Sequence, residues 1–176
     1  MKSKCALTNG EIIIYTIILG AVASFSHYAY RLSGNNMFIG LFNPVNESTW
    51  EHLKFMFFPF LLWWIAVYML KNKKCEISSN TWIVAAAGSL AAAPLSVIFL
   101  YYGYTSALGF EALFITILLV FIAYFIALCL AAHIIKYSKP GKAAAIVSLL
   151  VIVLIFIAFI VFTLCPPELP IFTPQV

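Results

Sequence analysis

Between Ala143 and Leu164 the chain reads AAAIVSLLVIVLIFIAFIVFTL, 22 residues without a charge. At about 1.5 Å of rise per residue, a helix of that length covers a hydrocarbon core of roughly 30 Å. Four similar runs precede it: Ile12 to Tyr30, about Trp50 to Leu70, Trp82 to Tyr102 and Ala112 to Ile135. Lipid leaves backbone N–H and C=O groups no partner outside the segment, so only helices or closed barrels cross it. None of the runs shows the period-2 alternation of a barrel strand. The expected fold is therefore all-α: a polytopic integral membrane protein, a bundle of five transmembrane helices. Composition agrees, with 64% hydrophobic and 9% charged residues and a mean hydropathy of +1.05. A soluble domain is about a quarter charged. The spans and their short connectors use up the 176 residues, so we expect a single membrane domain over 1–176 and no separate soluble one.

The few charges carry the topology. Lys2, Lys4, Lys71, Lys73, Lys74, Lys136, Lys139 and Lys142 fall on one side of the spans, and Arg31 and Lys54 on the other. The positive-inside rule puts the first group in the cytoplasm, hence the N-terminus in and, after five crossings, the C-terminus out. The lysines are divided among three short segments instead of sharing one face, so the net charge of +4 is not a nucleic-acid surface. The expected partner is the lipid bilayer. A cleaved signal peptide ending near Ala21-Val22-Ala23 is a rival reading of the first span, but the apolar run continues past that point to Tyr30, as a retained anchor does. Cys5 and Cys75 fall on the lysine side, Cys129 within the fourth span and Cys165 at the far end of the fifth. No two share an oxidising compartment, and no pair has CxxC spacing, so neither a disulfide nor a zinc ribbon is expected.

The remaining ionisable groups gather opposite the lysines. Glu47, Glu51, Glu111 and Glu168 lie there with His27 and His52, while Glu11 and Glu76 lie on the lysine side. The second span explains part of this. Its uninterrupted apolar stretch, Phe55 to Leu70, has 16 residues and reaches only about 24 Å. The helix must begin earlier, which carries Lys54, His52 and Glu51 into the interface, where charge is costly unless it faces protein or water. Two starts fit: Asn43-Pro44 as N-cap and first-turn proline, or Ser48-Thr49-Trp50-Glu51 as a capping box. A helix from Pro44 sets Glu47 and Glu51 one turn apart on one face, with Ser48 and His52 beside them.

Such a group suits a divalent metal such as zinc, with His27, Glu51 and His52 as ligands. It suits equally an acid/base site in which His27, Glu47, Glu51 and His52 share proton transfer. Plainer roles compete: Glu51 capping its helix, Glu47 favoured by the helix dipole, Lys54 neutralising a glutamate one turn away, and His52 among headgroups. Two histidines at similar depth are too little to argue for haem. His133, three residues before Lys136, reads as a snorkelling interfacial residue.

Other features frame that end of the chain. Three prolines within Pro166-Pro167-Glu168-Leu169-Pro170 make a stiff segment able to fold back as a lid and bring Glu168 toward the cluster, although a solvated tail reads as well. Tyr101, Tyr102 and Tyr104, beside Glu111, read as an interfacial aromatic belt. In the third span Ala85 to Gly88 and Ala91 to Pro94 repeat small residues at helical spacing, which favours close packing, and Pro94 frees a carbonyl. The fifth span, with no ionisable residue from Ala143 to Leu164, reads as a lipid-facing or packing helix.

The motifs Ser24-Phe25-Ser26-His27, Gly34-Asn35-Asn36, NPVNESTWEHLK (43–54) and Pro166 to Phe172 resemble a family of small bacterial integral membrane proteins known as a domain of unknown function, common in Firmicutes. NPVNESTWEHLK is the specific part. The resemblance implies a multi-pass protein of the bacterial cytoplasmic (inner) membrane and brings no activity with it. The chain looks unlike ceramidase-type membrane hydrolases, whose zinc site draws histidines from late helices. Three function classes remain: a metal-dependent or acid/base enzyme at the outer leaflet, a small transporter or ion-binding protein, and a non-catalytic subunit or assembly factor that docks a protein partner.

Overall fold

A computed structural model describes residues 7–71 and 77–174. Lys2, Lys4, Cys5, Lys73, Lys74, Cys75 and Glu76, which enter the charge and cysteine expectations, lie outside the described residues. The order is α1 (Asn9–Ser26), two short helices α2 (Ala29–Leu32) and α3 (Met37–Gly40), then α4 (Thr49–Lys71), α5 (Ser79–Leu108), α6 (Leu113–Tyr137), α7 (Lys142–Leu164) and a closing 3-10 turn, Pro170–Phe172. Five of these, α1 and α4 to α7, are long and apolar enough to cross a membrane. They match the expected runs, with two shifts. The first run stops as a helix at Ser26, and α2 and α3 fold the following segment; the third extends to Leu108.

Local chemistry sets several boundaries. The Thr8 hydroxyl accepts the Glu11 amide while the Glu11 carboxylate accepts the Thr8 amide, a capping box that opens α1. Glu11 also receives the Lys71 ammonium at 2.6 Å, joining the start of α1 to the end of α4. At the end of α5, Gly109 takes the left-handed conformation, φ 71°, that stops a helix. Of the two starts open to α4 the structure uses the later: Ser48 Oγ accepts the Glu51 amide, and the His52 amide bonds the Ser48 carbonyl as the first helical turn.

Packing follows the small residues. α5 contacts α4, α6 and α7, and α1 contacts α4 and α6. Ala85, Ala86, Ala87, Ser89 and Ala93 of α5 are buried, and α6 offers buried Ala123, Ala127 and Ala131 at four-residue spacing. Without a hydrophobic drive between helices in lipid, such close approach supplies the attraction. Where α1 meets α6, a Cβ on Gly20 would lie 2.4 Å from the Phe121 ring, so only glycine fits there without movement. α7 is the outlier, with only Ala145 and Phe159 fully buried, a stripe of Ile152, Ile155, Phe156 and Ile160 partly buried against the core, and much of its remaining apolar surface exposed.

Pro59 lies inside α4, where it cannot donate to the Phe55 carbonyl four residues back. Tyr124 of α6 replaces the missing donor: its buried hydroxyl donates to Phe55 O at 2.6 Å. Similarly Trp64 Nε1 donates to Ser89 Oγ at 2.9 Å. These two buried groups thus find partners on neighbouring helices. Among the described residues Cys129 and Cys165 are free thiols.

Candidate functional site

The segment between α1 and α4 folds over the end of the bundle opposite Lys71. Gly34 and Asn35 both adopt left-handed conformations, φ 71° and 61°, and turn the chain after α2. The Asn36 side chain caps α3 by accepting the Phe38 amide. Then α3 packs so close to the next stretch that a Cβ on Gly40 would lie 2.6 Å from Val45 Cγ1. The Asn46 side chain accepts the Ser48 amide, a local turn that leaves Glu47 just outside the first turn of α4.

Beneath that turn sits Lys54, fully buried. Its ammonium donates to Glu51 Oε2 at 2.7 Å, to the Gly40 carbonyl at 2.7 Å and to the Asn43 carbonyl at 3.4 Å, which accounts for its three protons. Glu51 is buried as well. Its Oε2 also accepts the Val45 amide at 2.9 Å, and the Thr163 hydroxyl of α7, which donates to the Phe159 carbonyl of its own helix at 2.7 Å, lies 3.3 Å from its Oε1. The pair ties α3, the 43–48 turn and α4 together. The expectation that Glu51 joins the histidines as a ligand is not met in this geometry: the group of His27, Glu47 and His52 does not include it, and its Oε2 is held inside by Lys54 and the Val45 amide. The plainer reading of Lys54, a partner for a glutamate one turn away, is met.

Of the two carboxylates expected near the histidines, Glu47 is the one that lies against them. His27 Nε2 lies 3.7 Å from Glu47 Oε1, and His52 Nε2 lies 3.3 Å from Glu47 Oε2. The two imidazoles stack at 5.2 Å with an interplanar angle of 29°. One ligand atom from each of His27, Glu47 and His52 falls within 4.8 Å of the others. His27 and His52 are half-buried and Glu47 is exposed, so the group faces out of the protein. Phe55 closes it from below, presenting its ring edge-on to both imidazoles. Glu168 and Glu111 are exposed and are not part of the group, and His133 stays exposed on α6.

The proton positions follow from the partners. His52 Nδ1 is 2.8 Å from the Ser48 carbonyl. A carbonyl only accepts, so Nδ1 carries the hydrogen, and Nε2 faces Glu47 either with a second proton or with its lone pair. A carbonyl-bound Nδ1 is also the usual arrangement behind a metal-binding Nε2. His27 lies just past the last residue of α1; burial lowers its pKa from the usual imidazole value, opposed by the Glu47 carboxylate and reinforced by His52 and Arg31. Around a tetrahedral ion with bonds of about 2.0–2.1 Å, ligand atoms sit roughly 3.3 Å apart, so the three atoms, which lie within 4.8 Å of one another, would have to draw closer to share one ion.

A polar cavity of about 280 Å³ opens beside His27 and Glu47, with Tyr30, Arg31, Asn35 and Asn46 on its wall. The C-terminal segment does fold back, but onto the start of α4 and not over the histidines. Phe172 packs on Trp50 at 4.9 Å and on Phe162 at 5.5 Å, and Pro174 forms a bridge with Ser48.

The chain belongs to a family of unknown function, described as Family of unknown function (DUF6512), whose model matches residues 1–176. No curated protein and no solved structure matches it.

Proposed function

We propose that this member of a family of unknown function is a multi-pass protein of the bacterial cytoplasmic membrane, with its N-terminus inside, and that it carries a divalent-metal centre on the outward face. His27, Glu47 and His52 are the ligands and the open fourth position is the place of reaction, so the protein is a metal-dependent enzyme acting at the outer leaflet. The observation that carries this reading is the convergence of two imidazole nitrogens and one carboxylate within 4.8 Å at the mouth of a polar cavity. Two histidines and a carboxylate with an open position are a common catalytic set for zinc and for other first-row metals. A bound zinc ion acidifies a water or polarises a carbonyl or phosphoryl oxygen. The orientation rests on the bias of lysines to the opposite end.

Metal-free acid/base chemistry is the second reading. Its support is the 3.3 Å approach of His52 Nε2 to Glu47 Oε2, which equally suits an imidazolium on a carboxylate. Elemental analysis separates the two. Protein purified without chelator and dialysed against zinc is expected to hold close to one ion per chain, and His27→Ala and His52→Ala to hold far less while eluting as the wild type does. A wild-type chain without metal after dialysis rejects the metal centre.

A further inference from the structure

The cavity beside the metal ligands has a charge and a depth of its own. Arg31 lines it, and among the described residues no carboxylate lies within ion-pair distance of that guanidinium. The other cation of this region, Lys54, is spent on Glu51 and two carbonyls inside the protein. With a divalent ion on Glu47 and the histidines, the cavity holds an excess of two positive charges, which matches a phosphate dianion in magnitude. Asn35 and Asn46 add amide donors to its wall. At about 280 Å³ it has room for a phosphate and a short polar substituent but none for an acyl chain.

Depth points the same way. α1 has 18 residues, about 27 Å of helix, so His27 and Arg31 stand at the edge of the hydrocarbon, where phospholipid phosphates lie. Phe25 and Leu32, each within two residues of a cavity-lining His27 or Arg31 in the chain, expose 78% and 84% of their surfaces. An Arg fork matches two phosphate oxygens at once, which a lysine cannot do.

We infer that Arg31 binds the phosphate group of a phosphoester seated in this cavity, so that the ligand presented to His27, Glu47 and His52 is a phosphate ester. This rests on the metal reading above for the placing of the ester, while the Arg31 contact is tested without it. The ester comes from a lipid headgroup or from a soluble phosphate, and two arms of one experiment tell these apart. Full-length protein in detergent, its zinc content measured, is titrated with inorganic phosphate in one arm. In the other it is titrated with dihexanoyl phosphatidic acid, with dihexanoylglycerol as the phosphate-free control.

We expect saturable binding in at least one arm, weakened roughly tenfold or more by Arg31→Gln and less by Arg31→Lys, which keeps the charge and loses the fork. Binding confined to the lipid arm assigns a headgroup; binding of inorganic phosphate assigns a soluble ester. No saturable binding in either arm, or equal affinities for wild type and both variants, overturns the inference. Failure of the metal reading appears separately, as a zinc content near zero. Arg31-dependent phosphate binding in such protein upholds the contact described here.

Discussion

Glu47 and Glu51, four residues apart, turn in opposite directions at the start of α4. Glu47 reaches outward to His27 and His52, and Glu51 reaches inward to Lys54. The divide is Ser48. Because the helix begins there, Glu47 precedes the N-cap and escapes the helical face that carries Glu51. The two carboxylates therefore serve different purposes, and substitution should part them. Glu47→Gln is expected to lower bound zinc at least about tenfold, the scale of losing supporting contacts at a metal site, with unfolding temperature unchanged. Glu51→Gln should do the reverse, keeping zinc per folded chain and losing stability. Metal analysis and thermal unfolding on the same preparations read both, and equal metal loss in the two variants would contradict the division.

The Glu51–Lys54 pair is closed to solvent, and removing one partner strands the other's charge in the protein. Lys54→Met should cost about 3–5 kcal/mol, whereas the double variant Lys54→Met with Glu51→Gln should recover a large part of that loss. Unfolding of the purified protein in one detergent measures the cycle. A double variant as unstable as the sum of the singles would show that the pair contributes through separate contacts, not through its charges.

The spans were legible because uninterrupted apolar runs admit only one solution in lipid. What escaped was decided partly by distant partners. The apolar run through Tyr30 hides the end of α1 at Ser26, since the residues that follow suit a helix and do form one, Ala29–Leu32, after a break at His27 and Tyr28. The sequence alone leaves Pro44 and Ser48 open as the start of α4. In the structure the Asn46 side chain and the Ser48 hydroxyl set the local turn and cap, and Lys54, whose ammonium takes up the Gly40 and Asn43 carbonyls, holds the 43–48 segment from below. A start at Pro44 would have put Glu47 and Glu51 on one face; with the start at Ser48, only Glu47 lies against the histidines. Thr163 also went unnoticed, because α7 has no charge to draw attention to a single hydroxyl against Glu51. The cluster's location was readable all the same: few ionisable residues, most of them opposite the lysines.

Topology has a direct test in Cys165, exposed at the end of α7. In intact cells, a chain retaining only this cysteine should react fully with a membrane-impermeant maleimide, and a chain retaining only Cys75 should react only after lysis. The opposite pattern would place the histidine cluster in the cytoplasm.

The C-terminal strap should stabilise the start of α4 rather than gate the site. Phe172→Ala removes ring contacts with Trp50 and Phe162 and loosens the bridge between Ser48 and Pro174. We expect faster amide exchange at residues 48–52, a loss of about 1–3 kcal/mol for a half-buried ring, and unchanged zinc content. Exchange that rises only beyond residue 165 would show the strap to be passive.

Tyr124 and Pro59 allow a sharper test, because one supplies what the other withholds. Tyr124→Phe leaves the Phe55 carbonyl with neither a helical amide nor a hydroxyl donor, inside an apolar bundle, and should cost about 1–3 kcal/mol. Pro59→Ala restores an amide four residues after Phe55. In that background the carbonyl regains its own helix's hydrogen bond, so Tyr124→Phe should cost markedly less. Phe55 also floors the histidine site, so the single Tyr124→Phe variant is further expected to bind zinc more weakly, and Pro59→Ala to restore that affinity along with stability. A Tyr124→Phe penalty that is the same with proline or alanine at position 59 would mean that the hydroxyl matters for packing alone.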